Sequence, residues 1–240
     1  MGSWLTTLGN ALLGLAEWQG RPAFFLRRTV VQQVYFTSLQ AFGLANFIGF
    51  ALGALVAIPL LNLGLNDTAV LALVMKVAVF HQLVPLMVAL VVIGRSGTAL
   101  TAEMGEFQAA GVLDALRMLG LDPDRFLVLP RVLGIAFSLL VLCFWANLSA
   151  VVGAGLFHGL AVGGSLPAFI RACTEVIHWA DAGLTGLMVV CQATAIVLVH
   201  HGLGIQCHNA VTLQRNLPRA FVRSLLACVG LTLLFTAVRG

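Results

Sequence analysis

Residues 126–157 read FLVLPRVLGIAFSLLVLCFWANLSAVVGAGLF and carry a single charged side chain, Arg131. A membrane-spanning helix needs about 20 predominantly apolar residues, which this stretch exceeds. The rest of the chain is similar: of its 240 residues, 60% are hydrophobic and 9% are charged, against about 25% charged in an ordinary soluble domain. So few charges cannot cover a water-soluble surface, which excludes soluble enzymes, nucleic-acid-binding proteins and disordered linkers. We therefore expect an all-α integral membrane protein.

Hydropathy predicts one domain over residues 1–240 with five membrane spans. The expected spans are residues 38–61, 68–94, 126–157, 182–204 and 219–238. Prolines within three of them are the expected kink points, namely Pro59, Pro85 and Pro130. Before the first span, residues 1–20 form an apolar stripe with a tryptophan near each end, which predicts a helix lying in the membrane interface.

The arginines predict the topology. Twelve of the 13 basic residues are arginines, and most lie before span one, between spans two and three, or between spans four and five. The positive-inside rule places these segments in the cytoplasm. We therefore expect a cytoplasmic N-terminus and a C-terminus on the opposite side, where Arg171 and Arg239 also lie.

The cytoplasmic segment 95–125 is predicted to be helical and closely packed. Small residues at helical spacing, including Gly94, Gly97 and Gly105, allow close approach to neighbouring helices. A short amphipathic helix follows, with an acidic–basic pair on its polar face and Gly120 at its end. Two roles remain open for this coupling helix: lying on the lipid surface or docking a cytoplasmic partner.

The next helix is predicted to open at Asp122, as its N-cap, and Pro123, in its first turn. On the other side of the membrane, segment 158–181 contains a second amphipathic piece, with Arg171 and Glu175 on its polar face. This outer segment either caps the bundle or seats an extracytoplasmic partner.

Polar residues inside the predicted spans are candidates for a lipid pathway, because such groups are costly in a membrane. Lys76 can instead extend its amine to the outer surface. Pro85 leaves the carbonyl of His81 without its helical donor, so this part of span two either lines a cavity or packs. The full candidate set is Asn46, Asn62, Lys76, His81, Gln82 and Pro85.

The chain lacks the motifs of an ATPase or a metalloenzyme. Lys76 is the only lysine, and it follows LALVM rather than the glycine-rich turn of a P-loop. If ATP drives this protein, another subunit must bind the nucleotide. We expect no metal site, because the spacing of HHGLGIQCH matches no common zinc site. The alternative is a membrane enzyme or cofactor protein that uses His81, His200, His201 and His208.

Residues 82–134 resemble the signature of MlaE/YrbE-type permeases, the membrane subunits of MCE-associated ABC lipid transporters. The run reads QLVPLMVALVVIGRSGTALTAEMGEFQAAGVLDALRMLGLDPDRFLVLPRVLG. It departs from the family pattern at Gln82, where the family has an acidic residue, and at Val84, where it has glycine. The residues that fit the signature and are expected to have structural roles are Gly94, Arg95, Gly97, Gly105, Gly120, Asp122, Pro123, Pro130 and Arg131.

The resemblance implies a transport assembly in the bacterial inner membrane, with a periplasmic C-terminus. Its expected members are a second permease chain in a homodimer or heterodimer, a cytoplasmic P-loop ATPase and an extracytoplasmic MCE-domain protein, with a small cytoplasmic regulatory subunit as an optional member. This chain itself would hold no cofactor, and ATP and magnesium would bind to the ATPase.

The cargo implied by the resemblance is lipid, typically phospholipid, held between two permease chains near spans one, two and five. A membrane anchor for an MCE assembly that transports nothing is the remaining alternative. The ATPase would couple to the region around the amphipathic helix, where the candidate residues are Glu103, Glu106, Leu113, Asp114, Leu116, Arg117 and Leu119.

Overall fold

The fold is known from a computed structural model, which describes residues 34–120, 123–207 and 209–239. Within these ranges the regular structure is entirely helical. Five of the helices are long and apolar enough to cross a membrane, which confirms the predicted all-α class and number of spans. The interfacial helix expected over residues 1–20 lies outside the described residues.

In the described chain, a π-helical stretch at Tyr35–Leu39 is followed directly by the first of seven helices. They are α1 (Gln40–Asn62), α2 (Thr68–Ala109), α3 (Val112–Met118), α4 (Pro123–Val162), α5 (Leu166–Val176), α6 (Trp179–Gly204) and α7 (Ala210–Arg239). The helices α1, α2, α4, α6 and α7 have the length and hydropathy of membrane spans. The two short helices α3 and α5 fall within the predicted segments 95–125 and 158–181.

Helix α2 continues beyond residue 94, the predicted end of span two, to Ala109, through part of the segment 95–125 that was predicted to be helical. Two π-helical stretches, Met75–Leu83 and Ile93–Gly97, interrupt its α-helical geometry. At the end of the first, the Val84 N–H bonds to the Val79 carbonyl, one residue further back than in an α-helix. Pro85 follows directly and has no N–H to give, so the π turn shifts the bonding pattern where the helix loses a donor.

Helices α6 and α7 also begin earlier than predicted, at Trp179 and Ala210 rather than at residues 182 and 219. Pro218 lies inside α7. The polar sequence before Pro218 is therefore helical, although its hydropathy placed it in a loop.

The chain divides into two compact units. The first contains Val92–Ser138 and Gln192–Cys228 with the described part of Met1–Thr37, and the second contains Ser38–Val91, Leu139–Cys191 and the described part of Val229–Gly240. Each unit therefore draws segments from several of the long helices.

The second unit is built on a close crossing of α1 and α4. A Cβ added to Gly49 or Gly53 would overlap the backbone carbonyl of Ala146 or Ala150. Beside this contact, the Ser149 hydroxyl donates a 2.6 Å hydrogen bond to Asn46 Oδ1. Small residues four apart thus let two membrane helices meet backbone to backbone.

In the first unit, α2 packs against α6 and α7 through a buried histidine. His200 is completely buried, and a Cβ on Gly97 would lie 2.6 Å from its Nε2. Its Nδ1 is 2.7 Å from the Thr101 hydroxyl, and its Nε2 is 3.2 Å from the Ser224 hydroxyl. The absence of a side chain at Gly97 therefore makes room for the His200 ring between the helices.

Helix α3 is a single short segment set off by two glycines with positive φ. Gly111 has φ +70° and separates α3 from α2, and Gly120 has φ +74° and follows its end. Both angles lie in the left-handed region that favours glycine. Helix α3 thus ends before a left-handed residue at Gly120, where the sequence predicted the helix to stop.

Candidate functional site

The second unit encloses a cavity of about 410 Å³ among α2, α4, α5 and α6. Each of these helices contributes apolar side chains to the wall, for example Phe80, Val151, Ile170 and Val189. The volume falls within the roughly 300–1,000 Å³ range of small-molecule sites. Size and lining therefore suit a ligand that is mostly hydrocarbon.

A few polar groups interrupt this apolar wall. Among the described lining residues, none is a lysine, arginine, aspartate or glutamate. The buried Asn147 Oδ1 accepts no hydrogen bond within the described part of the chain. Burial raises the pKa of the Cys173 thiol, which also lines the cavity, to about 11. The remaining polar lining groups are His81, Cys143, Thr174 and Thr185.

One side of the cavity is formed by an exposed row on α4. Leu140, Phe144 and Leu148 follow each other at four-residue spacing, and each is exposed in the single chain while lining the cavity. Phe144 is the most open of the three, at 65% exposure. Since α4 is a membrane-spanning helix, this row connects the cavity to the surroundings of the helix within the bilayer.

An ion pair links α2 to α6 in the same unit. Lys76 Nζ lies 2.6 Å from Asp181 Oδ2, and both side chains are largely buried. One helical turn further along α6, the Thr185 hydroxyl accepts a 2.7 Å hydrogen bond from Arg239 Nη2 of α7. Lys76 therefore has an acidic partner inside the protein.

Of the six lipid-pathway candidates, only His81 lines this cavity. Asn46 instead bonds to Ser149 and to the Phe42 carbonyl, which makes it part of the α1–α4 crossing. The other candidates also lie away from the cavity wall: Lys76, Asn62, Gln82 and Pro85. Sequence reasoning missed Asn147, although a polar residue in the middle of span three was a usable signal.

In the first unit, the predicted coupling residue Glu103 is joined to Arg131. The Glu103 carboxylate lies 2.7 Å from Arg131 Nη2, and the arginine side chain is only 8% exposed. Arg131 Nη1 also lies 3.4 Å from the Met104 sulfur. Two residues expected to have separate roles thus form one connection between α2 and α4.

Helix α3 presents a mixed polar and apolar surface. The expected pair on its polar face is present, with Arg117 Nη1 lying 2.9 Å from Asp114 Oδ1. The apolar stripe is only partly buried, however: Leu113 is covered, but Leu119 is 75% exposed. The predicted apolar stripe of α3 is thus covered at Leu113 and open at Leu119.

The remaining candidates have less specific environments. Leu116 is half-buried, Glu106 is exposed at the end of α2, and Pro130 is buried inside α4. A Cβ on Gly105 would lie 3.1 Å from the Cys207 Cβ, so this glycine permits close packing. Other motif residues are exposed or outside the described part: Gly94 and Arg95 are exposed, Pro123 is the first residue of α4, and Asp122 lies outside the described residues.

The histidines of HHGLGIQCH have a structural environment where they are described. The two ring nitrogens of His200 face hydroxyl groups, as stated above, and His201 is buried. His208 lies outside the described residues. Among the residues that the structure describes, no three His, Cys, Asp or Glu side chains are grouped to hold a metal ion.

Known proteins resemble this chain over most of its length. The family model described as Permease MlaE matches residues 30–238. The intermembrane phospholipid transport system permease protein MlaE of Haemophilus influenzae is 27% identical over 206 residues, which cover 80% of this chain and 74% of that protein.

Two further relatives match shorter regions. Protein TRIGALACTOSYLDIACYLGLYCEROL 1, chloroplastic, of Arabidopsis thaliana is 31% identical over 130 residues, covering 51% of this chain and 37% of the plant protein. A "Probable ABC transporter permease protein" of Synechocystis is 32% identical over 144 residues, covering 58% of this chain and 52% of its own length. The chain thus spans about half or less of these two relatives. With five apolar helices and a family match over residues 30–238, the chain belongs to the MlaE permease family.

Proposed function

We propose that this protein is the transmembrane permease subunit of an ATP-driven lipid transporter in a bacterial inner membrane. The observation that carries the proposal is the match of the MlaE permease model to residues 30–238, in a chain whose five long helices suit a multi-pass membrane protein. The name of the Haemophilus relative supports phospholipid as the cargo. A ring of MCE-domain proteins outside the membrane would receive or supply that lipid.

The ATPase would be a separate subunit that docks on α3. This helix offers the paired charges of Asp114 and Arg117 beside exposed apolar side chains, including Leu119. The tie between Glu103 and the buried Arg131 gives movement near α3 a direct route to α4. Binding of ATP and magnesium by the partner would thus change the arrangement of the membrane helices.

The proposal is tested first by identifying what the protein binds. The tagged chain is extracted gently from its native membrane, and mass spectrometry identifies co-purifying proteins and lipids. We expect a P-loop ATPase, an MCE-domain protein, a permease partner and an enriched lipid. Recovery of the MCE protein without an ATPase or stimulated ATP hydrolysis would favour the anchor alternative, and bound metal or visible absorbance would favour the histidine enzyme.

The docking surface is tested with two matched leucines. Leu119 directly follows α3 and precedes Gly120, and Leu63 directly follows α1 and precedes Gly64. Both glycines have positive φ. The two leucines are 75% and 76% exposed. We expect Leu119→Glu to abolish co-purification of the ATPase, because a charge would replace apolar contact area, whereas Leu63→Glu retains the ATPase.

A charge-reversed protein, Glu103→Lys with Asp114→Lys, should also uncouple ATP hydrolysis from lipid transfer in reconstituted vesicles. Coupled activity equal to that of the unmodified protein would refute the assignment of the docking surface. Thermal denaturation of both proteins in detergent serves as a control, because reversal of Glu103 also removes its ion pair with Arg131.

A further inference from the structure

We propose that the cavity of the second unit binds an uncharged lipid that carries a hydroxyl group, with the hydroxyl at Asn147 and the hydrocarbon against the apolar wall. The inference goes beyond the proposed function, because it assigns a ligand site and a ligand class to the chain by itself. Binding at this site requires neither ATP nor a partner protein.

The cavity wall indicates that the main part of the ligand is hydrocarbon. Phe80, Val151, Ile170 and Val189 bring apolar surface from four different helices to one space of about 410 Å³. A hydrocarbon can move from the bilayer core into this space at little cost because both surroundings are apolar, whereas a strongly polar group would lose its hydration. A chain or ring of hydrocarbon is therefore the component that this space stabilises most.

The electrostatics disfavour a charged headgroup inside the cavity. The described lining residues include no lysine or arginine that could pair with a phosphate and no aspartate or glutamate that could pair with an amine. Nearby, the charges of Lys76 and Asp181 are engaged with each other at 2.6 Å. An ionised headgroup would lose its hydration without gaining a counter-ion, which is strongly unfavourable.

Asn147 specifies the one polar group that the ligand needs. Its Oδ1 is buried and accepts no hydrogen bond from the described residues, which is a costly state for a polar atom. A hydroxyl both donates and accepts, so it can bond to the side-chain amide in either of its two orientations. An apolar ligand with a hydroxyl therefore satisfies Asn147 without introducing a charge.

The exposed row on α4 provides the entry. Leu140, Phe144 and Leu148 line the cavity and are also exposed along a membrane-spanning helix. A lipid in the bilayer can therefore enter between these side chains with its hydrocarbon leading, without passing through water.

The proposal is tested by photolabelling the full-length chain in phospholipid nanodiscs without ATP. Three probes share one diazirine-bearing alkyl chain and differ at its end: a long-chain alcohol, its phosphate monoester and the plain alkane. Labelled peptides are identified by mass spectrometry. We expect the alcohol to label the cavity segments of α4, α5 and α6 with about tenfold higher apparent affinity than the alkane, the gain from about one buried hydrogen bond.

Two variants and one control variant locate the site. Gly186 lines the cavity, and a Cβ there would lie at an ordinary contact distance of 3.9 Å from Leu140 Cδ2. Gly186→Leu should therefore fill the space and abolish labelling, whereas Gly183→Leu, at an exposed glycine with no atom within 4 Å, should not. Asn147→Leu should reduce the alcohol to the affinity of the alkane.

Three outcomes would overturn the proposal. Equal or stronger labelling by the phosphate would refute the uncharged class, and an Asn147→Leu protein that still prefers the alcohol would refute the role of the amide. Labelling that survives Gly186→Leu would place the ligand elsewhere. The labelling assay contains no ATP and no partner protein. Its results can therefore be interpreted even if the complete assembly does not transport lipid.

Discussion

Replacing Gly97 with alanine tests whether the buried histidine holds the first unit together. The new Cβ would lie 2.6 Å from His200 Nε2 and 2.9 Å from two ring carbons. His200 cannot swing aside freely, because its ring is buried and faces the hydroxyls of Thr101 and Ser224. The substitution therefore forces either the ring or the helix to move.

The size of the effect follows from these distances. Ordinary contact begins near 3.4 Å, so the ring must shift by about 0.8 Å. A shift of this size directed away from Ser224 would stretch the 3.2 Å contact to about 4 Å, beyond hydrogen-bonding range. Loss of one hydrogen bond costs about 1 kcal/mol, and overpacking adds about 1–3 kcal/mol. The higher helix propensity of alanine returns up to about 1 kcal/mol, which leaves a net loss of about 1–3 kcal/mol.

Gly94 provides the matched control, because it lies three residues earlier in the same π-helical stretch. A Cβ at Gly94 would lie 3.7 Å from the Phe221 ring, which is an ordinary contact distance. Free energies of unfolding are compared by SDS titration in mixed micelles. Gly97→Ala should be less stable than Gly94→Ala by about 2–4 kcal/mol, and His200→Ala should remove most of this difference. Equal stability of the two alanine variants would refute the reasoning.

Three further predictions concern other contacts. Gly53→Ala should destabilise the second unit by about 2–4 kcal/mol, because the added Cβ forces α1 away from the backbone of α4. Gly43→Ala is the control and should not destabilise the unit, because Gly43 has open space around it. Equal thermal stability of the two variants in detergent would contradict this. Glu103→Ala should cost about 1–2 kcal/mol by leaving a buried arginine unpaired, and Glu106→Ala almost nothing; the same titration distinguishes them. In a variant that keeps Cys173 as its only cysteine, the rate of maleimide labelling should rise about tenfold per pH unit and level off only near pH 11. The reason is that the thiolate is the reactive form and that burial raises the pKa of this thiol to about 11. A plateau in the labelling rate near pH 9 would contradict this.

Local sequence patterns were sufficient to predict the structural class of the protein and several of its local features. Apolar runs of about 20 residues predicted five spans, because a bilayer imposes a minimum length on any helix that crosses it. Gly120 was read correctly as the stop of α3, since a positive φ is a local requirement that glycine satisfies. Asp114 and Arg117 were read correctly as a pair, because three-residue spacing on a helix brings side chains together without help from the rest of the fold.

Contacts between residues far apart in the sequence were harder to predict. The GFALG run at residues 49–53 was a usable signal for a close helix crossing, but it does not identify α4 as the partner. Lys76 was expected to reach water or line a pathway, and its acidic partner Asp181 lies more than 100 residues later. The small residues Gly97 and Gly105 predicted close helix packing, but the sequence did not identify the residues that pack against them, which are His200 and Cys207.

The sequence by itself determined that this protein is an all-α membrane protein, and its motif between residues 82 and 134 indicated the permease family that the comparison establishes. Both depend on properties that neighbouring residues carry: hydropathy over one span and motif spacing along one segment. Only the tertiary structure decided that His81 and Asn147 share a cavity, that Glu103 holds Arg131, and that His200 fits against a glycine. These depend on which helix faces meet, and in a chain so uniformly apolar many pairings bury similar side chains, so backbone approach and a few polar contacts select among them.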